Sequence, residues 1–406
     1  MPPLARSLHY WRLPVLRGRL EACAFSNSDI LAPGHNLPAA EIGKPTAMVR
    51  DYSRFLPSLP GGPRLYAPTS LERLGWQAFF AQQVSVDELA RTPPVRVMSV
   101  ERSGLSVEGD GFSVTLPPRA DTTVGDWLLH DAARPGASRL LDRKSLFHRR
   151  AAGTGREVQL IAANVDTVFV VTSCNRDFNV ARLERYVALA FEAGVEPVIV
   201  ATKADLADDA ERFAAAATAV SATVPAVVLD ALGPEPKEKL APWCKPGRTV
   251  AFLGSSGVGK STLVNALAGR TAAATGAVRA DDNRGRHTTT GRHLHLLPEG
   301  YAVLDTPGMR ELQLADAAEG IAEVFSDLAA LAAGCRFSDC RHEEEPGCAV
   351  RAAIAAGEID EARLRRWQKL QREEAFNSAS LAERRERERA FSRTVRSILK
   401  DKPPKR

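Results

Sequence analysis

Thr249-Val250-Ala251-Phe252-Leu253-Gly254-Ser255-Ser256-Gly257-Val258-Gly259-Lys260-Ser261-Thr262-Leu263 is the stretch on which the fold turns. Thr249 to Leu253 is an apolar run of strand length, and Thr262 to Leu267 has helical spacing. Between them stands Gly-x-x-x-x-Gly-Lys-Ser, the phosphate-loop pattern in the strand–turn–helix context it needs. Its glycines let backbone N–H groups close around phosphate oxygens, and the helix N-terminus adds partial positive charge. Lys260 is placed to reach the β- and γ-phosphates, and the Ser261 hydroxyl to bind Mg2+. Gly254, Ser255, Ser256, Gly257, Val258, Gly259, Lys260, Ser261 and Thr262 are the candidate phosphate-binding residues.

About 45 residues further on, Asp305-Thr306-Pro307-Gly308 follows the apolar run Tyr301 to Leu304. A carboxylate at that strand end is placed to hold Mg2+ through water, and the Gly308 N–H to meet the γ-phosphate. Between the two motifs lies Arg284-Gly285-Arg286-His287-Thr288-Thr289-Thr290. A threonine here binds Mg2+ and senses the γ-phosphate, making the segment an order–disorder switch. Spacing does not choose among the threonines; Thr289 is favoured, and a plain polar loop is the alternative.

Upstream, Thr202-Lys203-Ala204-Asp205 closes the apolar run Val198 to Ala201. The Asp205 carboxylate can accept from guanine N1–H and the 2-amino group, a donor pair that adenine lacks, so it selects GTP over ATP. Lys203 is placed along the base. The usual first residue of such a segment is Asn; Thr202 offers one short contact in its place. Asp230-Ala231, after the run ending at Leu229, is the weaker candidate for the loop under guanine O6, with the Ala231 N–H donating.

In an ordinary GTP-binding domain the base-reading segment follows the phosphate loop. Here Thr202 to Asp205 precede Gly254 by about fifty residues. Joining the original ends of the sheet and cutting a new opening produces this order, a circular permutation. Around these motifs the chain reads as α/β. Val165 to Thr172, Val195 to Ala201 and Ala226 to Leu229 are continuous apolar strands, with helices over Val180 to Ala193 and Phe213 to Ala222. That alternation predicts a mostly parallel sheet with helices on both faces.

Earlier, the spacing predicts a helix over about 71–92. Then Val95, Val97, Val100, Leu105, Val107, Phe112, Val114 and Leu116 alternate in short runs, broken by Ser103-Gly104 and Gly109-Asp110-Gly111. Several short strands in so few residues predict a small antiparallel barrel of OB type. Residues 1–68 are rich in Pro and Gly without sustained periodicity and read as a poorly ordered extension, with Met48 an alternative start. Beyond Leu312 the chain is helical apart from a cysteine cluster. Trp367, beside Arg363, Arg365, Arg366 and Lys369, is expected in the core, with stacking on RNA as its alternative. His293 and His295 read as surface residues of a strand.

Of the six cysteines, Cys335, Cys340 and Cys348 fall within 14 residues, with His342 among them. Three thiols and an imidazole at these spacings suit one tetrahedral structural Zn2+. No export signal precedes them, so a reducing compartment and a metal site are expected rather than disulfides. At 406 residues, 44% hydrophobic and 25% charged, the chain is neither disordered throughout nor fibrous. It has no apolar run of about 18 residues, so no spanning helix is expected. The net charge of +5 is mild but concentrated. From Ala349 onward 16 Lys and Arg face 9 Asp and Glu, and Arg139 to Arg150 carries five against one. Such patches fit a polyanion, or simply a solvated surface.

The permuted order, Arg286-His287-Thr288-Thr289, the Cys335/Cys340/His342/Cys348 cluster, Ala163-Asn164-Val165-Asp166 and Gly125-Asp126-Trp127 together resemble the circularly permuted GTPases of small ribosomal subunit biogenesis. The resemblance covers about residues 74–376. It implies an N-terminal OB barrel, a permuted GTPase domain and a C-terminal zinc domain. It also implies binding to the small subunit and its rRNA, with hydrolysis stimulated by the subunit. The expected layout is an extension at 1–68, an OB-type domain at 69–155, the permuted GTPase at 156–315, a helical zinc-binding domain at 316–376 and a basic helix and tail at 377–406. A cytoplasmic monomer that binds GTP and GDP with Mg2+, and no membrane, is expected. Many GTPases place a water-orienting Gln where Met309 stands. The family lacks it too, and His287 is the residue the resemblance offers in its place, as a catalytic group or as one that contacts RNA or orders the switch. Two other classes stay open: an RNA-binding scaffold with a structural nucleotide, and an ATPase or kinase.

Overall fold

The apolar runs on either side of the phosphate loop lie side by side. The computed structural model describes residues 68–150, 158–269, 292–305 and 317–378. All of them belong to one unit, Arg64–Arg406. Three short helices, α1 (Ser70–Arg73), α2 (Ala78–Ala81) and α3 (Val86–Arg91), open it. Five antiparallel strands follow: β1 (Pro94–Val100), β2 (Leu105–Glu108), β3 (Ser113–Leu116), β4 (Trp127–Leu129) and β5 (Arg139–Leu140). A hairpin of β6 (Leu146–Arg150) and β7 (Val158–Ala163) leads into the α/β part. There the order is β8 (Thr167–Ser173), α4 (Val180–Glu192), β9 (Glu196–Thr202), α5 (Ala210–Thr218), β10 (Ala226–Val228) and α6 (Glu235–Lys239). It continues as β11 (Thr249–Gly254), α7 (Lys260–Ala268), β12 (Arg292–Leu296) and β13 (Ala302–Asp305). Helices α8 (Ala318–Val324), α9 (Ser326–Ala332), α10 (Ala349–Ala355) and α11 (Glu361–Ser378) end the described chain.

The parallel strands stand in the order β10-β9-β8-β11-β13, with β12 antiparallel on the β13 edge. Both faces of the central strands are buried, so the strands are apolar throughout rather than alternating. Val168 and Val170 of β8 pack with Leu183 and Val187 of α4 in one core cluster. Phe169 and Val171 pack with Phe252, Val258 and Leu263 in the other. Each fully buried Val, Leu or Phe of this kind contributes about 1.5–3 kcal/mol. The chain enters the parallel part of the sheet at β8, passes the base-reading segment at the end of β9 and reaches the phosphate-loop strand β11 only later. This is a circularly permuted phosphate-loop fold.

The antiparallel strands continue the same sheet. β1 pairs with β12 (Ser99 opposite His293), giving eleven strands in all, and the order on its far side is β1-β2-β3. β4 also pairs with β1, and β5 with β4. Val95, Val97, Leu105, Val107, Leu116 and Leu128 form their own core. The break at Gly109-Asp110-Gly111 is the turn of the β2–β3 hairpin, with Glu108 opposite Ser113.

Differences from the sequence expectations have physical causes. The helix expected over 71–92 is three short ones. Gly75, at φ +94°, ends the first in a left-handed turn, where a Cβ would meet the Arg96 guanidinium at 2.6 Å. The Ser85 hydroxyl, accepting from the Glu88 N–H at 3.2 Å, caps the third. The β6–β7 hairpin is an addition. Arg96, on a strand that reads as alternating, is buried with a guanidinium that donates to Thr249 Oγ1 (2.8 Å), Asn164 O (3.2 Å) and Leu74 O. It thereby ties β1 to the start of β11, and burial lowers its pKa to about 10. Asp126 is buried as well, accepting from Arg143 at 2.7 and 2.8 Å. Among the described residues no helix is long and apolar enough to cross a membrane.

Candidate functional site

Chain order reverses direction between β8 and β11. From β8 the chain winds towards β9 and β10, and from β11 towards β13. At such a switch point the following helices diverge and leave a crevice at the carboxyl ends of the strands. The phosphate loop stands there.

Backbone conformation fixes the loop. Gly257 and Gly259 have φ +77° and +96°, a left-handed region that costs an L-residue roughly 1–2 kcal/mol. Gly254 approaches β8 so closely that a Cβ would meet the Val171 carbonyl oxygen at 2.3 Å. Val258 is buried at 1% exposure in the core beneath, so the loop is anchored from below while Ser256 and Gly257 are exposed. The Lys260 ammonium donates to Gly254 O at 2.8 Å and to Ser255 O. Ser261 and Thr262 lie in the first turn of α7, half-buried.

The base-reading segment is tied directly to this loop. Thr202 is fully buried, and its hydroxyl lies 2.7 Å from Val258 O and 3.1 Å from Thr172 O. The threonine that replaces the usual Asn thus spends its contact on the phosphate loop. Lys203, at φ +59°, donates from Nζ to Gly257 O at 2.8 Å. Ala204 and Asp205 form a 3-10 turn, and Asp205 is exposed with no hydrogen-bond or ion-pair partner among the described residues. Asp230 uses its carboxylate to accept from the Leu232 N–H at 2.8 Å, closing the turn that follows Ala231. Asp305 ends β13, its backbone opposite His293. His287, Thr289 and Gly308 lie outside the described residues, as do residues 1–67 and 379–406.

Sequence reasoning missed one residue of this crevice. Arg182, in the first turn of α4, donates from Nη1 to Ser255 Oγ at 2.5 Å. Nothing in a helix pattern announces a partner 73 residues away.

The cysteine cluster is separate. Cys335 follows α9, and Cys348 is the N-cap of α10, its sulfur accepting from the Arg351 N–H at 3.4 Å. His342, at φ +61°, turns its Nδ1 to 3.6 Å from Cys335 Sγ and 3.4 Å from Cys348 Sγ, and the two sulfurs are 3.9 Å apart. Tetrahedral Zn2+, with Zn–S near 2.3 Å and Zn–N near 2.0 Å, sets S···S at about 3.8 Å and S···N at about 3.5 Å. The donor set and spacing therefore fit such an ion; with Cys340, all four ligand atoms lie within 4.8 Å of one another. The surroundings orient them. Arg351 Nε holds His342 O at 2.7 Å, and the buried Trp367 stacks on the imidazole with ring centroids 5.6 Å apart. The Glu345 carboxylate closes the loop by accepting from the N–H groups of Arg341 and Glu343, each at 2.8 Å. These backbone donors, Arg341 foremost, draw its pKa down to about 2.

The chain is similar to known proteins. A family model described as RsgA GTPase matches residues 140–315, the span of the permuted sheet. A protein of Vibrio parahaemolyticus named small ribosomal subunit biogenesis GTPase RsgA 2 is 50% identical over 335 residues, covering 82% of this chain and 93% of its own length. One from Mesorhizobium japonicum, named small ribosomal subunit biogenesis GTPase RsgA, is 50% identical over 318 residues, or 76% of this chain and 91% of its own. The crystal structure of YjeQ from Thermotoga maritima superposes with a TM-score of 0.52 at 27% identity, over 68% of this chain and 96% of that one. With the phosphate loop, the base-reading segment and the permuted order all in place, this chain belongs to the RsgA family of small ribosomal subunit biogenesis GTPases.

Proposed function

We propose that the chain binds the small ribosomal subunit, assists its late maturation and hydrolyses GTP to GDP and phosphate, with the subunit accelerating turnover and the nucleotide state governing release. The observation that carries this reading is the pair of ties from Thr202 and Lys203 to the Val258 and Gly257 carbonyls. They support the reading of Thr202 to Asp205 as a base-reading segment held against the phosphate loop, with Asp205 as its guanine-selecting carboxylate. GTP then spans the crevice. The loop N–H groups and Lys260 take its phosphates, and Asp205 takes the base edge. Mg2+ is assigned to Ser261, Asp305 and a switch threonine, with Thr289 favoured; it neutralises charge between the phosphates. Met309 cannot orient water, so His287 is the residue we assign to that task.

Cys335, Cys340, His342 and Cys348 hold one structural Zn2+ in this reading, which fixes the loop before α10 against Trp367. The strands β1 to β5 act as an OB-type barrel, an oligonucleotide-binding architecture, and with the zinc region and the basic C-terminal stretch they contact rRNA. Phosphate contacts of this kind weaken steeply with salt. The protein works as a cytoplasmic monomer. Pelleting of purified small subunits with the full-length, Zn2+-loaded chain tests the reading. Retention with a non-hydrolysable GTP analogue should exceed retention with GDP and fall as salt rises. Equal retention in both nucleotide states would point instead to a scaffold with a structural nucleotide.

A further inference from the structure

Arg182 and Ser255 meet across the switch point, one in the first turn of α4, the helix after β8, and the other just after β11. Their contact is short: Arg182 Nη1 donates to Ser255 Oγ at 2.5 Å. Among the described residues no carboxylate pairs with Arg182. The neighbouring arginines are different. Arg185 pairs with Glu373, Arg366 with Glu184, and Arg363 with both Asp327 and Glu184. A half-buried guanidinium whose one partner among the described residues is a neutral hydroxyl of the phosphate loop is placed for that loop.

Ser255 is held at two points. Its carbonyl accepts from Lys260 and its hydroxyl from Arg182. In a working phosphate loop the lysine belongs to the β- and γ-phosphates. Once Lys260 turns to them, the Ser255 carbonyl loses that donor, and Arg182 remains as the grip on the residue.

The helix that delivers Arg182 is fixed from its other side. Glu184 is buried and accepts from Arg366 Nε at 2.9 and 3.0 Å. Gly320 packs so tightly on α4 that a Cβ there would meet Ala188 O at 2.1 Å. Phosphoryl transfer depends almost wholly on positioning and electrostatics, and this chain has Met309 where many GTPases have a water-orienting Gln. A rigid grip on the loop therefore bears directly on rate.

We propose that Arg182 is a positioning residue for GTP hydrolysis, holding the phosphate loop through Ser255 so that its N–H groups stay aimed at the phosphates as charge develops on them. The proposal rests on the chain hydrolysing GTP. The test uses the full-length protein with Mg2+ and GTP: single-turnover hydrolysis, fluorescent GDP titration and thermal melting for wild type, Arg182→Met, Arg182→Lys, Ser255→Ala and the Arg182→Met/Ser255→Ala double variant. Arg182→Met should slow hydrolysis by roughly tenfold to a hundredfold, with nucleotide Kd held within about threefold. Arg182→Lys should restore part of the rate. The double variant should be scarcely slower than either single one, because both remove the same contact. Unchanged hydrolysis in Arg182→Met overturns the proposal. So do rate losses that multiply in the double variant, and so does a rate loss matched by equal losses of affinity and melting temperature. An inactive wild type would sink the hydrolase reading itself, whereas an active wild type with an equally active Arg182→Met sinks only the role of Arg182.

Discussion

Thr202→Val removes one oxygen and keeps the side-chain shape. The threonine is fully buried, so valine fills the same space without strain. What disappears is the hydroxyl 2.7 Å from Val258 O and 3.1 Å from Thr172 O. A hydroxyl has one proton, and the shorter contact marks Val258 O as its main acceptor. Val258 is itself 1% exposed, so its carbonyl loses a partner in a place water does not readily reach. Leaving a buried acceptor unmade costs about 1–3 kcal/mol. That cost has two outlets. If the loop stays in place, folding stability falls by this amount. If the loop shifts to let water in, stability is spared, and nucleotide must restore the original loop on binding. The two losses therefore sum to about 1–3 kcal/mol. Ser256 and Gly257 are exposed and free to relax, so most of the loss should appear in affinity, as a Kd for GDP raised by about fivefold to a hundredfold. Urea unfolding of the nucleotide-free protein and titration with fluorescent GDP measure the two parts. A Thr202→Val protein that matches wild type in both would refute the idea that this threonine ties the base-reading segment to the phosphate loop.

Other outcomes follow from the same geometry. Asp205→Asn should weaken GTP in competition with ATP by roughly tenfold or more, because an amide no longer accepts both donors of the guanine edge; fluorescent-GDP displacement by the two nucleotides measures the ratio. Cys348→Ser should lower the zinc released per chain on thiol modification from one towards none. It should also loosen the segment from Cys335 to Trp367, seen as faster amide exchange there, while exchange in β8 and β11 stays as in wild type. The Asp121 carboxyl, hydrogen-bonded by Arg119, has its pKa lowered from 3.8 to about 2. A depressed acid supplies stability that is complete above its unfolded pKa and lost as pH falls through the folded one. Asp121→Asn should thus flatten the acid limb of a stability–pH curve between about 4 and 2; an identical limb would show that the pair contributes nothing.

Much of the parallel sheet is legible in the sequence because its strands are buried on both faces. Runs such as Thr167–Ser173 and Glu196–Thr202 are short, apolar and bounded by polar turns. The phosphate loop is legible because its glycines are required by backbone conformation and close approach. The Cys3His cluster is legible because one loop supplies every ligand. The rest is hidden for equally physical reasons. The β6–β7 hairpin has exposed positions such as Val158 and a basic stretch, so its alternation reads as a charge patch. Helices α1 to α3 read as one in the sequence, but the left-handed turn at Gly75 and the extended backbone at Gln77 separate the first from the second. Arg96 looks like the outward residue of an alternating strand, yet it is 1% exposed because carbonyls from three distant segments converge on it. Arg182 is one more arginine in an amphipathic helix until the fold brings Ser255 to it. Contacts between remote segments leave no local trace, and those are the contacts that join this crevice together.

Turnover of GTP by this permuted crevice, under the control of the small ribosomal subunit, is the activity we propose. Its most direct test is the rate of phosphate release from GTP by the full-length, Zn2+-loaded protein, titrated with purified small subunits. Turnover should be slow alone and accelerate saturably as subunits are added, and Lys260→Ala should abolish it. A rate that stays flat across the titration would contradict the proposal.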